Sequence, residues 1–172
     1  MYYSHMDSPV GRLLLAGDGE NLTLISFPTG HKRKQVQPGW REDTAPFGET
    51  KRQLAAYFGG ELADFDLPLE PKGTPFQLAV WQALLTIPYG QTISYGQLAE
   101  KIGRPTASRA VGAANGNNPI PIIIPCHRVI GSTGKLTGFG GGIEVKAALL
   151  TLEGVLAPDD ARQPDLPLAE VG

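Results

Sequence analysis

The sequence predicts an α+β protein, built as a small antiparallel sheet with one helix followed by a mostly helical part that holds a winged helix-turn-helix. Three observations carry this. Leu13 to Ala16 and Leu22 to Phe27 flank the turn residues Gly17, Asp18 and Gly19 as the two arms of a β-hairpin would. From Thr74 onward, apolar residues recur at helical spacing in short runs separated by glycine and proline. The charge also changes sign along the chain. Residues 1–71 hold 7 Lys/Arg and 10 Asp/Glu, residues 72–154 hold 7 and 3, and residues 155–172 hold 1 and 4. These shifts divide the chain into an N-terminal α/β domain over 1–71, a second domain over 72–154 and an acidic, proline-rich tail over 155–172.

Composition narrows the function classes. Hydrophobic residues make up 41% of the 172 and charged residues 19%, enough apolar material for a packed core. No apolar stretch reaches the length of a bilayer span, so no membrane partner is expected. Residues 1–10 lack the basic-then-apolar pattern of a secretory signal. A single cysteine, Cys126, allows no internal disulfide, and three histidines make a structural zinc cage a poor fit. The expectation is a cytoplasmic protein with no metal and no cofactor. The basic middle segment is a weak footprint for a polyanion, against the alternative of a solvated face.

In the first part, His31 to Lys34 form a basic cluster in a polar loop, read as solvated. Phe47 to Phe58 has helical spacing and closes at Gly59 and Gly60. Phe65 to Leu69 reads as a further short strand. Pro68, Pro71 and Gly73 mark a linker. In the second part, Thr74 and Pro75 open a helix that runs to Thr86. Ser94 and Gln97 have capping-box spacing and open a short helix. Gly103 and Pro105 break it. Thr106 is then the expected cap of a second helix over Ala107 to Ala114. Two short helices joined by a glycine-containing turn describe a helix-turn-helix, with two ordinary core-packing helices as the alternative. Ile143 to Leu152 is a last helix.

Between these helices lies Ile122 to Ile130. Ile122, Ile123 and Ile124 are β-branched and closed by Pro125, so they read as a buried strand ending just before Cys126. A cysteine there is either a small core residue or a nucleophile that needs a base within reach. On an extended strand, His127 would point to the face opposite Cys126.

Tyr95, Arg109, Asn118-Pro119, the run Pro125-Cys126-His127-Arg128-Val129-Ile130, the Gly138 to Gly142 loop and Glu153-Gly154 together resemble the O6-alkylguanine-DNA alkyltransferases. These are suicide DNA-repair proteins. The likeness is strong over 74–154 and weaker before it. It implies irreversible transfer of an alkyl group from O6-alkylguanine, with O4-alkylthymine left open, to Cys126. His127 would take the thiol proton by an indirect relay, Glu153 would orient His127, Asn118 would brace the thiol's turn, and Tyr95 would act on the base edge as the guanine leaves. Tyr95, Val129, Phe139 and Gly140 would form the base pocket. The base must be flipped from the duplex to reach a buried thiol. Arg109 would fill the gap, with Ser94, Thr106, Ala107, Ser108, Ala110 and Arg128 as further DNA contacts. The implied partner is double-stranded DNA bearing alkylated bases, bound by a monomer able to cluster on DNA.

Some family features are missing. The cysteines of the zinc-bearing and transcription-coupled branches are absent, and Cys126 separates the chain from the lesion-binding branch that carries tryptophan there. Phe139 stands where tyrosine is common. Gly140 suggests room for adducts larger than methyl. Two other classes compete: a DNA-binding module without chemistry, and a cysteine hydrolase or redox enzyme. The second lacks both a second cysteine and an oxyanion motif.

Overall fold

The computed structural model describes residues 1–134, 136 and 139–156, so the expected tail beyond Leu156 lies outside the described residues. The hairpin forms where its turn residues place it. Strands β2 (Leu13–Gly17) and β3 (Leu22–Ser26) pair antiparallel, and β1 (Tyr2–Met6) pairs antiparallel with β2. Asp18 closes the turn by accepting from the backbone N–H groups of Glu20 and Asn21 at 2.8 and 2.7 Å. A short edge strand, β4 (Arg41–Glu42), completes the order β3-β2-β1-β4. It runs parallel to β1, so antiparallel pairing describes β1 to β3 only. The strand expected at Phe65 to Leu69 is reduced to one isolated bridge, Leu22 to Leu69. Pro68 lacks an N–H for a longer ladder and only offers its carbonyl to Leu22. Helix α1 (Gly48–Phe58) buries Leu54 and Tyr57 beside the sheet.

Helix α2 (Pro75–Leu84) begins at the expected cap. Thr74 Oγ1 accepts from the Gln77 N–H and Gln77 Oε1 accepts from the Thr74 N–H, so two orphan donors are satisfied. Its buried face is Val80, Trp81 and Leu84, and Trp81 Nε1 donates to the Ala114 carbonyl at 2.8 Å. The same box, Ser94 with Gln97, opens α3 (Tyr95–Lys101). Helix α4 (Ser108–Gly116) follows. Its cap position is Ala107, with no side-chain bond, so Thr106 is not the cap. Arg104 instead starts a tight turn by accepting the Ala107 N–H at 2.9 Å. Helices α3 and α4 pack through Leu98, Ala99 and Val111, all fully buried.

The strand expected over Ile122 to Ile124 is absent. These residues form turns, with the Ile124 N–H donating to Ile120 O at 3.0 Å. Ile122 has φ 74°, a left-handed conformation that costs a β-branched residue roughly 1–3 kcal/mol. Cys126–Arg128 is a single 3-10 turn. It leads into β6 (Val129–Ile130), which pairs parallel with β5 (Ile93–Ser94) beside the helix-turn-helix. Helix α5 (Ile143–Leu152) closes the described chain. One hydrophobic core joins both parts, from Leu13 and Tyr57 to Val129 and Leu149.

Candidate active site

Cys126 is 4% exposed and lines a cavity of about 230 Å³ together with Asn118, Phe139 and Gly140. The turn under the thiol is held by one side chain. Asn118 Nδ2 donates to Ile124 O at 2.8 Å and Asn118 Oδ1 accepts from the Ile120 N–H at 3.0 Å. This brace spans Ile122 and keeps its strained backbone in place. It is supported from the sheet edge, where the Ile25 N–H donates to Pro119 O at 2.9 Å. Asn115 Nδ2 approaches the Cys126 carbonyl at 3.4 Å.

Behind the cavity lies a buried polar chain. His127 Nε2 lies 2.7 Å from Glu153 Oε2. The carboxylate can only accept, so Nε2 carries the proton and Nδ1 is left bare. Nδ1 is buried without a partner. Burial pushes the imidazole below its ordinary range against the pull of Glu153, so His127 is a neutral base at pH 7. In the 3-10 turn, consecutive side chains are separated by about 120°. Cys126 and His127 therefore still diverge, although for a different reason than a strand's alternation.

Glu153 sits just past the end of α5 and gathers five donor groups from four residues. Besides His127, it accepts from Arg128 Nε at 2.8 Å and Nη2 at 3.1 Å, from Tyr57 Oη at 2.6 Å and from the Gly90 N–H at 3.3 Å. Burial opposes its charge, but the bonds from His127, Arg128 and Tyr57 overcome this and hold the carboxyl below the usual range. Arg128 was expected to contact DNA. It is instead 6% exposed, paired with Glu153, bonded to Ile87 O at 2.6 Å and set over the Tyr89 ring. The 3-10 turn rotates it inward.

The thiol itself is neutral at rest. Burial pushes Cys126 up to about 11, with Asn118 and then Lys146 pulling it down. Lys146 is fully buried and donates to Val129 O at 2.6 Å, and burial lowers it to about 8. Sequence reasoning passed over both Lys146 and Tyr57. A lysine among Val145, Leu149 and Leu150 on one helix face was the signal for the first. Tyr57 fits an apolar stripe, and nothing local marks its hydroxyl.

Of the expected base-pocket residues, Phe139 and Gly140 line this cavity. Val129 is fully buried and its carbonyl accepts from Lys146 Nζ at 2.6 Å. The Tyr95 ring packs on α4, where a Cβ on Gly112 would lie 3.7 Å from Cδ1. Phe139 is buried against Phe27, ring centroids 5.6 Å apart. The room expected at Gly140 is taken, since a Cβ there would meet Lys32 Cβ at 2.7 Å. The same close approach governs Gly30, with φ 92°, whose Cβ would lie 2.1 Å from Gly140 O. These glycines let the N-terminal segment dock on the loop. Thr106, Ser108, Arg109 and Ala110 are exposed around the start of α4, with Ala107 and Ser94 half-buried.

Fold and site together define a helix-turn-helix protein with a buried free cysteine followed by a histidine paired to a carboxylate. The chain belongs to the 6-O-methylguanine DNA methyltransferase family, whose DNA-binding domain matches residues 75–155 and whose ribonuclease-like domain matches residues 1–71. It is 55% identical over 154 residues to a methylated-DNA--protein-cysteine methyltransferase of Methanosarcina acetivorans, covering 90% of this chain and 99% of that one. A protein of the same name from Mycobacterium bovis is 54% identical over 160 residues, covering 93% and 96%. The fold is similar to a crystal structure of Mycobacterium tuberculosis OGT in complex with DNA, with TM-score 0.84, 54% identity and coverage of 89% and 92%.

Proposed function

We propose that the protein repairs duplex DNA by moving the alkyl group of a flipped-out O6-alkylguanine onto Cys126, once per molecule. The observation that carries this reading is His127, a buried neutral imidazole with Nε2–H on Glu153 and Nδ1 bare. As Sγ attacks the alkyl carbon, the S–C bond forms and the C–O6 bond breaks. The thiol proton passes to His127 Nδ1 by a relay, and Glu153 stabilises the imidazolium, much as in other Cys-His-acid sites. Guanine leaves with the bonding pair, and Tyr95 supplies the hydrogen bond or proton as negative charge develops on it. The C–S bond of the thioether so formed resists hydrolysis, so Cys126 is consumed.

Arg109 enters the stack in place of the flipped base, with Ser108 and Ala110 against the groove. Their exposure at the start of α4 supports this. Arg128 belongs to the acid network instead. The division into domains at residue 71 is supported by the change in charge and by the separate family matches on either side. Among the described residues, no helix is long and apolar enough to cross a membrane. The buried free thiol suits the cytoplasm, where the protein acts as a monomer.

The test is intact-mass spectrometry after mixing the protein with duplex DNA carrying one O6-methylguanine. One methyl gained per molecule on Cys126, and none in Cys126→Ala, is the expected result. Tight lesion binding without mass gain would place the protein among binders rather than transferases.

A further inference from the structure

The basic cluster His31 to Lys34 has the look of a solvated loop in the sequence, yet the fold brings it to the reactive cysteine. Lys32, Arg33 and Lys34 line the same cavity as Cys126, as does Lys72, and among the described residues no acidic one lines it. The N-terminal 71 residues carry an acid excess, 10 Asp/Glu against 7 Lys/Arg, and three of those seven cations are consecutive here. Among the described residues, no carboxylate pairs with Lys32, Arg33 or Lys34, whereas Lys72 is paired with Glu70 at 2.6 Å.

The segment is also held in place. The Lys32 N–H donates to Gly140 O at 3.2 Å and the Lys34 N–H to Ser26 Oγ at 2.7 Å, while Thr29 Oγ1 donates to Gly141 O at 3.2 Å. Lys32 Nζ donates to Asn117 Oδ1 at 2.9 Å, a neutral acceptor that leaves its charge uncompensated. A fixed row of cations without carboxylate partners at the mouth of a cavity concentrates positive potential there. An ordinary solvated loop would need neither the docking glycines nor this alignment.

We infer that Lys32, Arg33 and Lys34 are a second DNA-contact site, which binds the phosphates flanking the flipped nucleotide. The inference rests on the alkyl-transfer reading. A nucleotide extruded into the cavity carries its two phosphates to the rim. The N-terminal cations meet that strand near the C-terminal end of α4, where Lys32 Nζ reaches Asn117, so the nucleotide is held between the two parts of the chain. Such contacts add affinity and position without sequence readout, which suits a protein that must accept any flanking sequence.

The experiment compares wild type, Arg33→Ala/Lys34→Ala and the charge-conserving Arg33→Lys/Lys34→Arg. Both residues are exposed, and the bond that holds Lys34 is from its backbone. Two readouts are taken. One is the slope of log affinity against log salt for duplex DNA carrying O6-methylguanine. The other is the ratio of the alkylation rate on that duplex to the rate on free O6-methylguanine base, which has no phosphates. The expected result for the alanine pair is a slope shallower by about 1.8, because each phosphate left without its cation removes about 0.9. The duplex-to-base ratio falls about tenfold or more, and the charge-conserving pair restores both. If wild type is alkylated by the duplex while the alanine pair keeps the wild-type slope and ratio, the inference is overturned and the alkyl-transfer reading stands. If wild type gains no alkyl group from the duplex, that reading fails and the inference goes with it.

Discussion

Tyr57→Phe isolates one bond in the acid network. The substitution keeps the ring that packs on Phe58, Phe65 and Tyr89 and removes only the hydroxyl, which donates to Glu153 Oε2 at 2.6 Å. A hydrogen bond to a charged group contributes about 1.5–3 kcal/mol net, and Glu153 is 5% exposed, so water cannot easily replace it. Urea unfolding should show Tyr57→Phe less stable by about 1.5–3 kcal/mol. The second readout is chemical. With the Tyr57 hydroxyl gone, Oε2 directs more of its charge at His127 and favours the imidazolium. His127 then becomes protonated at a higher pH, and the acid limb of the Cys126 alkylation rate moves upward. Packing alone would not move that limb. Wild-type stability together with an unmoved acid limb would refute the argument that the N-terminal helix tunes the base.

Three further outcomes follow from the same network. Native stability should fall as pH drops below about 6.5, because unfolded His127 takes up a proton that the native state, with its depressed imidazole, does not. Glu153 adds to this loss at lower pH, since its folded carboxyl is depressed and its stabilisation disappears as it protonates. Stability curves across pH 4 to 8 check both. Lys146→Met should slow iodoacetamide labelling of Cys126 near pH 7, where the ammonium favours the thiolate, and leave it unchanged well above pH 8, where Lys146 is neutral. Labelling that keeps its wild-type rate at pH 7 would remove Lys146 from the thiol's environment. Arg128→Met should cost about 3–5 kcal/mol, the usual penalty for leaving a buried charge without its counterion. A DNA-contacting Arg128 would instead leave stability unchanged and weaken DNA affinity, a result that gel shift and urea melts together would reveal.

What could be read in the sequence was local. The capping residues Thr74 and Ser94 set helix starts because the box closes within four residues. The pairing of His127 with Glu153 was legible because the family motif supplied both positions. Ile122 to Ile124 misled because a β-branched run before proline fits a strand in every local respect. What decides otherwise is the Asn118 side chain, which takes the backbone groups a sheet would have used. Arg128 misled for a related reason, since a basic residue in a motif next to a helix-turn-helix invites a DNA role until the turn's rotation is known.

The rest was hidden by distance. Tyr57 and Glu153 are 96 residues apart, and Lys32 and Asn117 are 85 apart. Both pairs join the N-terminal part to the site. Neither end of either pair looks unusual locally, because a tyrosine on an apolar stripe and a lysine in a polar loop are ordinary. The glycines at 140 and 141 suggest space for a substrate, yet the space is filled from the N-terminal side by Lys32 and Phe27. The first 71 residues are therefore part of the site's construction. They supply a donor to the acid, a wall to the cavity and cations at its rim, so residues 72–172 expressed alone should lose base tuning even where they keep Cys126, His127 and Glu153. Comparing the acid limb of alkylation in that fragment with Tyr57→Phe in the full chain would separate the hydroxyl's share from the rest. Matching limbs would assign the whole effect to one bond, and a larger shift in the fragment would assign the remainder to the cavity wall.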